Sequence, residues 1–461
     1  MPREDAIETI TTMTVQKPLV LLCAHGATGH FMPVLTIAAE MVVRGLEVTF
    51  VTATARKERV EAVGARFIPI QGELADVTNT EAVIEKIAPL RNSIAPGPLQ
   101  VAYDMEVFFV NPIEGQYAAL QTALKILTKE HPGRPIILGY EALYMGAIPL
   151  VLDGPGIKPT ASFGIGAMPV LLSSIDTAPF GPGLPPDSSP EGRTRNIAMN
   201  KEVMEGMFAK PNALFHETLR EMGIKSSLPF FLDAPYHVGN RFLQMCIPSV
   251  EYPRSDVPPT LQFAGCCPKH QRDAFMHAPS WWAEITQKES KTIVFVSQGT
   301  VSPDHTNLII PTIQALEDRS DIIVIAALGR KGATIGGGTV IPKNARVFDW
   351  IPYDEVLPHA KVFVTNGGYG SLQHAVSNMT PMVIAGAGED KPEVAARAEW
   401  AGMAVNLRTG TPSPEQVREA VDRILGDPKY ERRCHELGNE AKTYNTFDIV
   451  QKTIEDLAAG K

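Results

Sequence analysis

His30 closes a short glycine-bearing turn, Gly26-Ala-Thr-Gly29, inside "CAHGATGHFMP". An imidazole of near-neutral pKa is the commonest side chain for taking a proton from a hydroxyl, and the start of a helix favours the neutral form that a base requires. Far along the chain, Asn366-Gly-Gly-Tyr-Gly-Ser371 stands between an expected strand and an expected helix. Glycines there let backbone amides approach a phosphate, and the helix start favours negative charge. Trp350, at the end of the preceding strand, offers a flat face on which a base can stack. Asp390 follows the next strand, at the same sheet edge, where a carboxylate can hold sugar hydroxyls.

Two incompatible chemistries follow from the opening turn. A dinucleotide fingerprint needs a third glycine and an acid at the end of the second strand. Here Met32 stands at the third glycine's place, and the second strand ends in Thr52 and Thr54, with Arg56 beyond. An arginine of that kind suits NADP, so an NADP-dependent reductase is the rival expectation. Each C-terminal residue also has an ordinary reading: Trp350 closing a core, Asn366 in a left-handed turn, Asp390 capping the helix that begins near Pro392. Their order at successive strand ends is what those readings do not anticipate. A ligand with a base, a diphosphate and a sugar satisfies all three positions, which describes a nucleotide sugar.

These residues need a sheet edge to hold them. "KPLVLLCA", "LEVTFVTA" and "ARFIPI" are short apolar runs alternating with helix-period stretches, the pattern of a buried parallel sheet. "RPIILGYEA" adds a strand whose carboxyl end carries Glu141. A second alternation starts at "KTIVFVSQGT" and runs through "DIIVIAAL", "ARVFDW", "AKVFVT" and "TPMVIAG". The expected architecture is α/β, two doubly wound Rossmann-like domains facing each other across a cleft, with ligands at the carboxyl ends of the strands. Residues 1–17 read as a disordered tail, 18–270 and 271–440 as the two domains, and 441–461 as a helix crossing back to the first. Between about 151 and 260 the pattern dissolves into Pro- and Gly-rich sequence, read as loop or linker that either decorates the surface or shapes a pocket.

The 461 residues suit two domains, and a net charge of −9 without a basic run argues against nucleic acid. Five scattered cysteines have no zinc-ligand spacing, and a reducing compartment is expected. No stretch reaches the roughly 18 apolar residues of a membrane span, so a cytoplasmic monomer is expected.

On "GHFMP", "RGLEVTFVT", "VSQGT" and the region from Trp350 to Asp390, the chain resembles the UDP-dependent glycosyltransferases of the GT-B superfamily, in particular the macrolide-glycosyltransferase-like branch of microbes and fungi. The resemblance covers nearly the whole chain. It implies that His30 is the general base, oriented and charged by a carboxylate, with Glu141 preferred and Asp153 or Asp104 as alternatives. It implies donor contacts at Gly29, Ser297, Gly299, Thr300, Trp350, Ile351, Asn366, Gly367, Gly368, Tyr369, Gly370, Ser371, His374, Asp390 and Lys391. Asn366 replaces a phosphate-contacting histidine common in the family, His374 a ribose-contacting glutamate and Lys391 a glutamine, and these departures admit a non-catalytic nucleotide-sugar-binding paralogue.

The reaction so implied is inverting, metal-independent transfer of a hexose, glucose in the first instance, from a UDP-sugar to a hydroxyl of a hydrophobic small molecule such as a phenol, flavonoid, polyketide or sterol. No cofactor is expected beyond the donor. Phe108, Phe109, Phe163, Met168 and Phe180 are the candidates for an apolar acceptor pocket.

Overall fold

The apolar run at the start of the chain divides its side chains between two cores. Leu19, Leu21 and Cys23 pack on one face, Val20 and Leu22 on the other, so the strand is buried on both sides and helices must cover both. A computed structural model of the protein describes residues 17–72, 87, 89–94, 98–266, 282, 291–299, 302, 304–336 and 338–461. The first sheet contains β1 (Leu19–Cys23), β2 (Glu47–Thr52), β3 (Arg66–Pro69), β4 (Ile136–Glu141), β5 (Ala161–Gly166), β6 (Arg241–Gln244) and β7 (Leu261–Phe263), in the order 3-2-1-4-5-6-7. The second contains β8 (Thr292–Ser297), β9 (Ile322–Ala327), β10 (Ala345–Phe348), β11 (Ala360–Thr365), β12 (Met382–Ile384) and β13 (Ala404–Asn406), in the order 10-9-8-11-12-13. Among the described residues, every pairing in both is parallel.

Both orders reverse direction once, between β1 and β4 and between β8 and β11. A doubly wound sheet opens a crevice at such a point, because the connections leave it on opposite faces. The helix Thr28–Val43 starts beside the first crevice and the helix Tyr369–Asn378 beside the second. Sequence and fold therefore place His30 and the Asn366–Ser371 turn at equivalent positions of the two sheets.

The stretch 151–260, expected as loop, contributes two strands and leads into a third, and it forms two long helices, Pro190–Glu205 and Ala209–Glu221. Part of the reason lies in β5, "ASFGIG", whose small residues are matched to bulk elsewhere. A side chain at Gly164 would meet the Phe242 ring of β6 at 2.3 Å. The Pro-rich stretch between Ser173 and Ser189 remains irregular.

The helix Thr446–Ala458 buries Val450, Ile454 and Leu457 in the first domain's core, and Arg44 fixes it from outside through Asp448 and Gln451. Burying each such side chain contributes about 1.5–3 kcal/mol. Cys246, Ile247 and Val250 pack in turn into the second domain's core, so apolar contacts cross the junction both ways. Residues 1–16 of the expected tail, and the boundary placed between 270 and 271, lie outside the described residues. Lys17, the tail's last residue, is held in place: its ammonium donates to the Arg44 carbonyl at 2.9 Å and its own carbonyl accepts from Arg134. Among the described residues, no helix is long and apolar enough to cross a membrane.

Candidate active site

β4 ends at Glu141, whose side chain is fully buried. Its Oε1 lies 2.9 Å from His30 Nδ1 and also accepts from the Leu143 amide at 3.2 Å. A carboxylate only accepts, so Nδ1 carries the proton and Nε2 is left with the lone pair. About a fifth of the His30 side chain remains accessible. Burial pushes its pKa down, but the Glu141 charge and hydrogen bond, with the Asp390 charge, outweigh it and leave the value above the usual 6.5. Asp104 and Asp153, the alternative partners, are engaged elsewhere. Asp104 pairs bidentately with Arg91 at 2.7 and 2.8 Å, and Asp153 accepts from the amides of Lys225 and Ser226.

The neighbours of His30 fix its turn. His25 Nδ1 accepts from the Ala27 amide at 3.1 Å, and burial first, then the charges of His30 and Arg56, push its pKa down to about 3, so it stays neutral. Arg56 donates to the Gly26 carbonyl at 2.9 Å and to Thr28 Oγ1 at 3.1 Å. The arginine on which the NADP expectation rested is thus tied to the turn itself. A five-residue π-helical segment, Glu106–Val110, brings the Phe109 ring to 5.1 Å from His25 and 5.7 Å from His30.

Across the cleft, Asp390 immediately precedes the helix Lys391–Trp400 but makes no capping hydrogen bond with its side chain. Burial pushes its pKa up to about 6 against the opposing pull of His30. The two groups feel each other's charge although one follows β12 and the other β1. Lys391, beside it, is buried, its amine is pushed down to about 8 by burial, and it pairs with Glu389.

The glycine turn after β11 is open where a phosphate would approach: a side chain at Gly368 or Gly370 would meet nothing within 4 Å. Gly29 is equally open. Gly367 differs, with φ +82° and space for a Cβ closed by Ile384 Cγ2 at 2.5 Å, so the turn requires glycine there on both counts. Trp350, 38% exposed, keeps an accessible ring with the Lys331 ammonium 5.5 Å from its centroid. Ser297 and Ser371 are buried, and the Tyr353 hydroxyl donates to Ser297 Oγ at 2.8 Å. The Gly299 amide reaches Ser297 Oγ at 3.3 Å. Thr300 lies outside the described residues.

Several of the expected contact residues have partners within the chain. The Asn366 side-chain amide, expected to donate to phosphate, donates instead to the Gln298 carbonyl at 2.6 Å and lies 3.4 Å from Ser302 Oγ, joining the loops after β8 and β11. His374 pairs with Asp354 at 3.0 Å and packs edge-on to Tyr353. Ile351 is in the core, and Tyr369 turns away from the donor side to accept from Gln244 at 3.1 Å. Of the acceptor candidates, Phe163 is fully buried under the helix Thr28–Val43 and Met168 is core beneath the helical insertion. Phe180 lines a small cavity with Leu171, Pro179, Val203, Phe208 and Phe230, while Phe108 packs on Ile87 and Val107. The site also uses Tyr353, which pattern reading passed over, and Arg56 in a different role from the one expected, as a clamp on the turn. "WIPYDE" held a signal for the first, since a tyrosine three positions after a strand-end tryptophan reaches the same sheet edge.

Two doubly wound sheets face each other here, with a histidine–carboxylate pair at one reversal point and a glycine turn at the other. That is the arrangement of a GT-B glycosyltransferase. Residues 313–457 match the family described as erythromycin biosynthesis protein CIII-like, C-terminal domain. The chain is 39% identical over 443 residues to UDP-glucosyltransferase A1 of Starmerella bombicola, covering 96% of this chain and 93% of that one. It is 39% identical over 451 residues to UDP-glucosyltransferase 1 of Beauveria bassiana, covering 95% of each. Among solved structures, the glycosyltransferase of kitacinnamycin superposes with a TM-score of 0.69 at 20% identity, covering 96% of this chain and 99% of that one. The calicheamicin glycosyltransferase CalG4 gives 0.68 at 17%, with the same coverage. The chain belongs to the UDP-dependent glycosyltransferases of the GT-B superfamily.

Proposed function

We propose that this protein transfers glucose from UDP-glucose to a hydroxyl of a hydrophobic small molecule, with inversion at the anomeric carbon. The observation that carries the reading is the 2.9 Å contact of His30 Nδ1 with buried Glu141, which leaves Nε2 as a base at the cleft. Nε2 takes the acceptor proton as the oxygen attacks the anomeric carbon, and Glu141 stabilises the imidazolium that forms. The C–O bond to the β-phosphate breaks on the opposite face, so the configuration inverts and UDP leaves. Its charge is received by backbone amides of the Gly367–Gly370 turn and the start of the helix Tyr369–Asn378, without a metal. Among the described residues, no group of three or more His, Cys, Asp or Glu is placed to hold a metal ion.

Trp350 supplies a face for the uracil, and Asp390 a carboxylate for the glucose hydroxyls. The half-buried Phe109 ring beside His30 supports an apolar acceptor, an aromatic one included. Relatives named UDP-glucosyltransferase support glucose as the sugar. The test is incubation with UDP-glucose and a panel of phenols, flavonoids and aliphatic alcohols, with mass spectrometric search for a gain of one hexose. UDP binding with neither transfer nor slow UDP-glucose hydrolysis would instead identify a non-catalytic binder.

A further inference from the structure

The helix Lys391–Trp400 begins at the donor-side Asp390, yet its next two turns are occupied by the other domain. Glu393 is 4% exposed, and its Oε1 accepts from two loop amides of the first domain, Gly181 at 2.9 Å and Gly183 at 2.8 Å. Its Oε2 accepts from Arg397 at 2.8 Å. Arg397, 2% exposed, donates across the junction to Glu251 at 2.8 Å and to the Val170 carbonyl at 3.3 Å, and its guanidinium lies 4.3 Å from the centre of the Tyr252 ring. Glu251 is itself held by the Val170 and Tyr252 amides and by Arg254. Two anions and two cations thus balance in a buried cluster, with the donor helix on one side and the segments after β5 and β6 on the other.

The segment after β5 is the Pro-rich stretch that carries Pro179 and Phe180 into the small apolar cavity. It approaches the helix so closely that a side chain at Gly183 would meet the Pro392 carbonyl at 2.6 Å, and Gly183 sits at φ +60°. Buried pairs of this kind contribute little net stability compared with an apolar filling, because desolvating the charges offsets their attraction. What they add is directional: a carboxylate receiving two amides and a guanidinium fixes relative position as packing alone does not.

We propose that Glu393 and Arg397 are positioning residues for glycosyl transfer, seating the first-domain loop at Gly181–Gly183 on the helix that starts at Asp390 and so fixing Asp390 relative to His30. The inference rests on the transfer reading above. In it, the sugar contact and the domain that carries His30 are mechanically joined, since the same helix begins at Asp390 and carries the loop anchor. Neither residue touches substrate.

The experiment compares wild type with E393Q and E393A. The amide side chain of E393Q keeps an oxygen for one or both glycine amides but loses the charge that pairs with Arg397, so E393Q is the variant that preserves the fold if E393A does not. The expected result is an acceptor KM raised at least 10-fold in E393A and at least 3-fold in E393Q, with a lower kcat, while the Kd for UDP stays within twofold. Hydrogen exchange at residues 179–184 is expected to accelerate at least 10-fold in E393A and measurably in E393Q. Acceptor KM and kcat within twofold of wild type in folded E393Q, or a loss of UDP affinity in step with acceptor KM, would overturn the proposal. If wild type transfers no sugar at all, the functional reading fails by itself, and unchanged exchange at the loop amides of E393Q would still refute the seating.

Discussion

Replacing Glu141 by Gln removes one charge from a fully buried site while preserving its shape. The orientation of the new amide is set by its neighbours. Oε1 receives His30 Nδ1–H and the Leu143 amide, so the Gln oxygen must take that place, and the NH2 falls where Glu141 Oε2 has no partner. That exchanges one unpartnered buried group for another, so stability changes by less than the about 1–3 kcal/mol that a newly orphaned group costs. The kinetic effect has a different origin. A hydrogen bond to an ionised group contributes about 1.5–3 kcal/mol, and losing its charge when the imidazolium forms slows transfer roughly 10- to 150-fold at about 1.4 kcal/mol per decade.

The pH profile separates this effect from simple damage. His30 serves as base only when neutral, so kcat/KM falls as pH drops through its pKa, which in wild type lies above 6.5. In E141Q burial is no longer opposed by the Glu141 charge, and the acid limb moves to lower pH while the plateau drops. Initial rates of glucoside formation between about pH 5 and 9 would display both changes. A plateau within threefold of wild type, with an unmoved acid limb, would refute the pairing as the source of the base.

Trp350→Ala removes the surface for the uracil, and base stacking of about 1–3 kcal/mol implies a UDP Kd raised roughly 5- to 150-fold, read by calorimetry. Asp390 is ionised above about pH 6, so donor KM should rise as pH falls through that value, and D390N should raise it at all pH and flatten the dependence. Turnover after exhaustive chelation is expected to equal that of untreated protein; an activity restored only by a divalent cation would contradict leaving-group stabilisation by backbone amides.

The legible parts of the fold were those whose hydrophobic pattern is local. β1, β4, β8 and β11 are apolar runs ending at turn residues, and they hold the two reversal points, so His30, Glu141 and the Gly367–Gly370 turn could be placed before any coordinates. β5 and the helix Pro190–Glu205 were not legible. The strand has small residues at four of its six positions, with Gly164 and Gly166 leaving room for Phe242 and Gln244 of its neighbour, and the helix is largely polar, with buried Asn196 and Asn200. Their stability comes from partners distant in sequence. The same limit applies to the site residues. A glycine turn states its own conformation, whereas the amide of Asn366 chooses among Gln298, Ser302 and a ligand according to what the fold brings near it. Likewise, nothing in the apolar sequence around Phe163 distinguishes a pocket wall from a core.

The central claim, that His30 is the base of a glucosyl transfer, is tested most directly by measuring hexose transfer and UDP binding together in wild type and His30→Ala. Wild type should convert an acceptor to its mono-hexoside. His30→Ala should bind UDP within about twofold of wild type and lose transfer by at least the roughly 10²-fold typical of a removed general base. Full transfer by the alanine variant would contradict the assignment, and absence of any hexoside from wild type across phenolic and aliphatic acceptors would contradict the function itself.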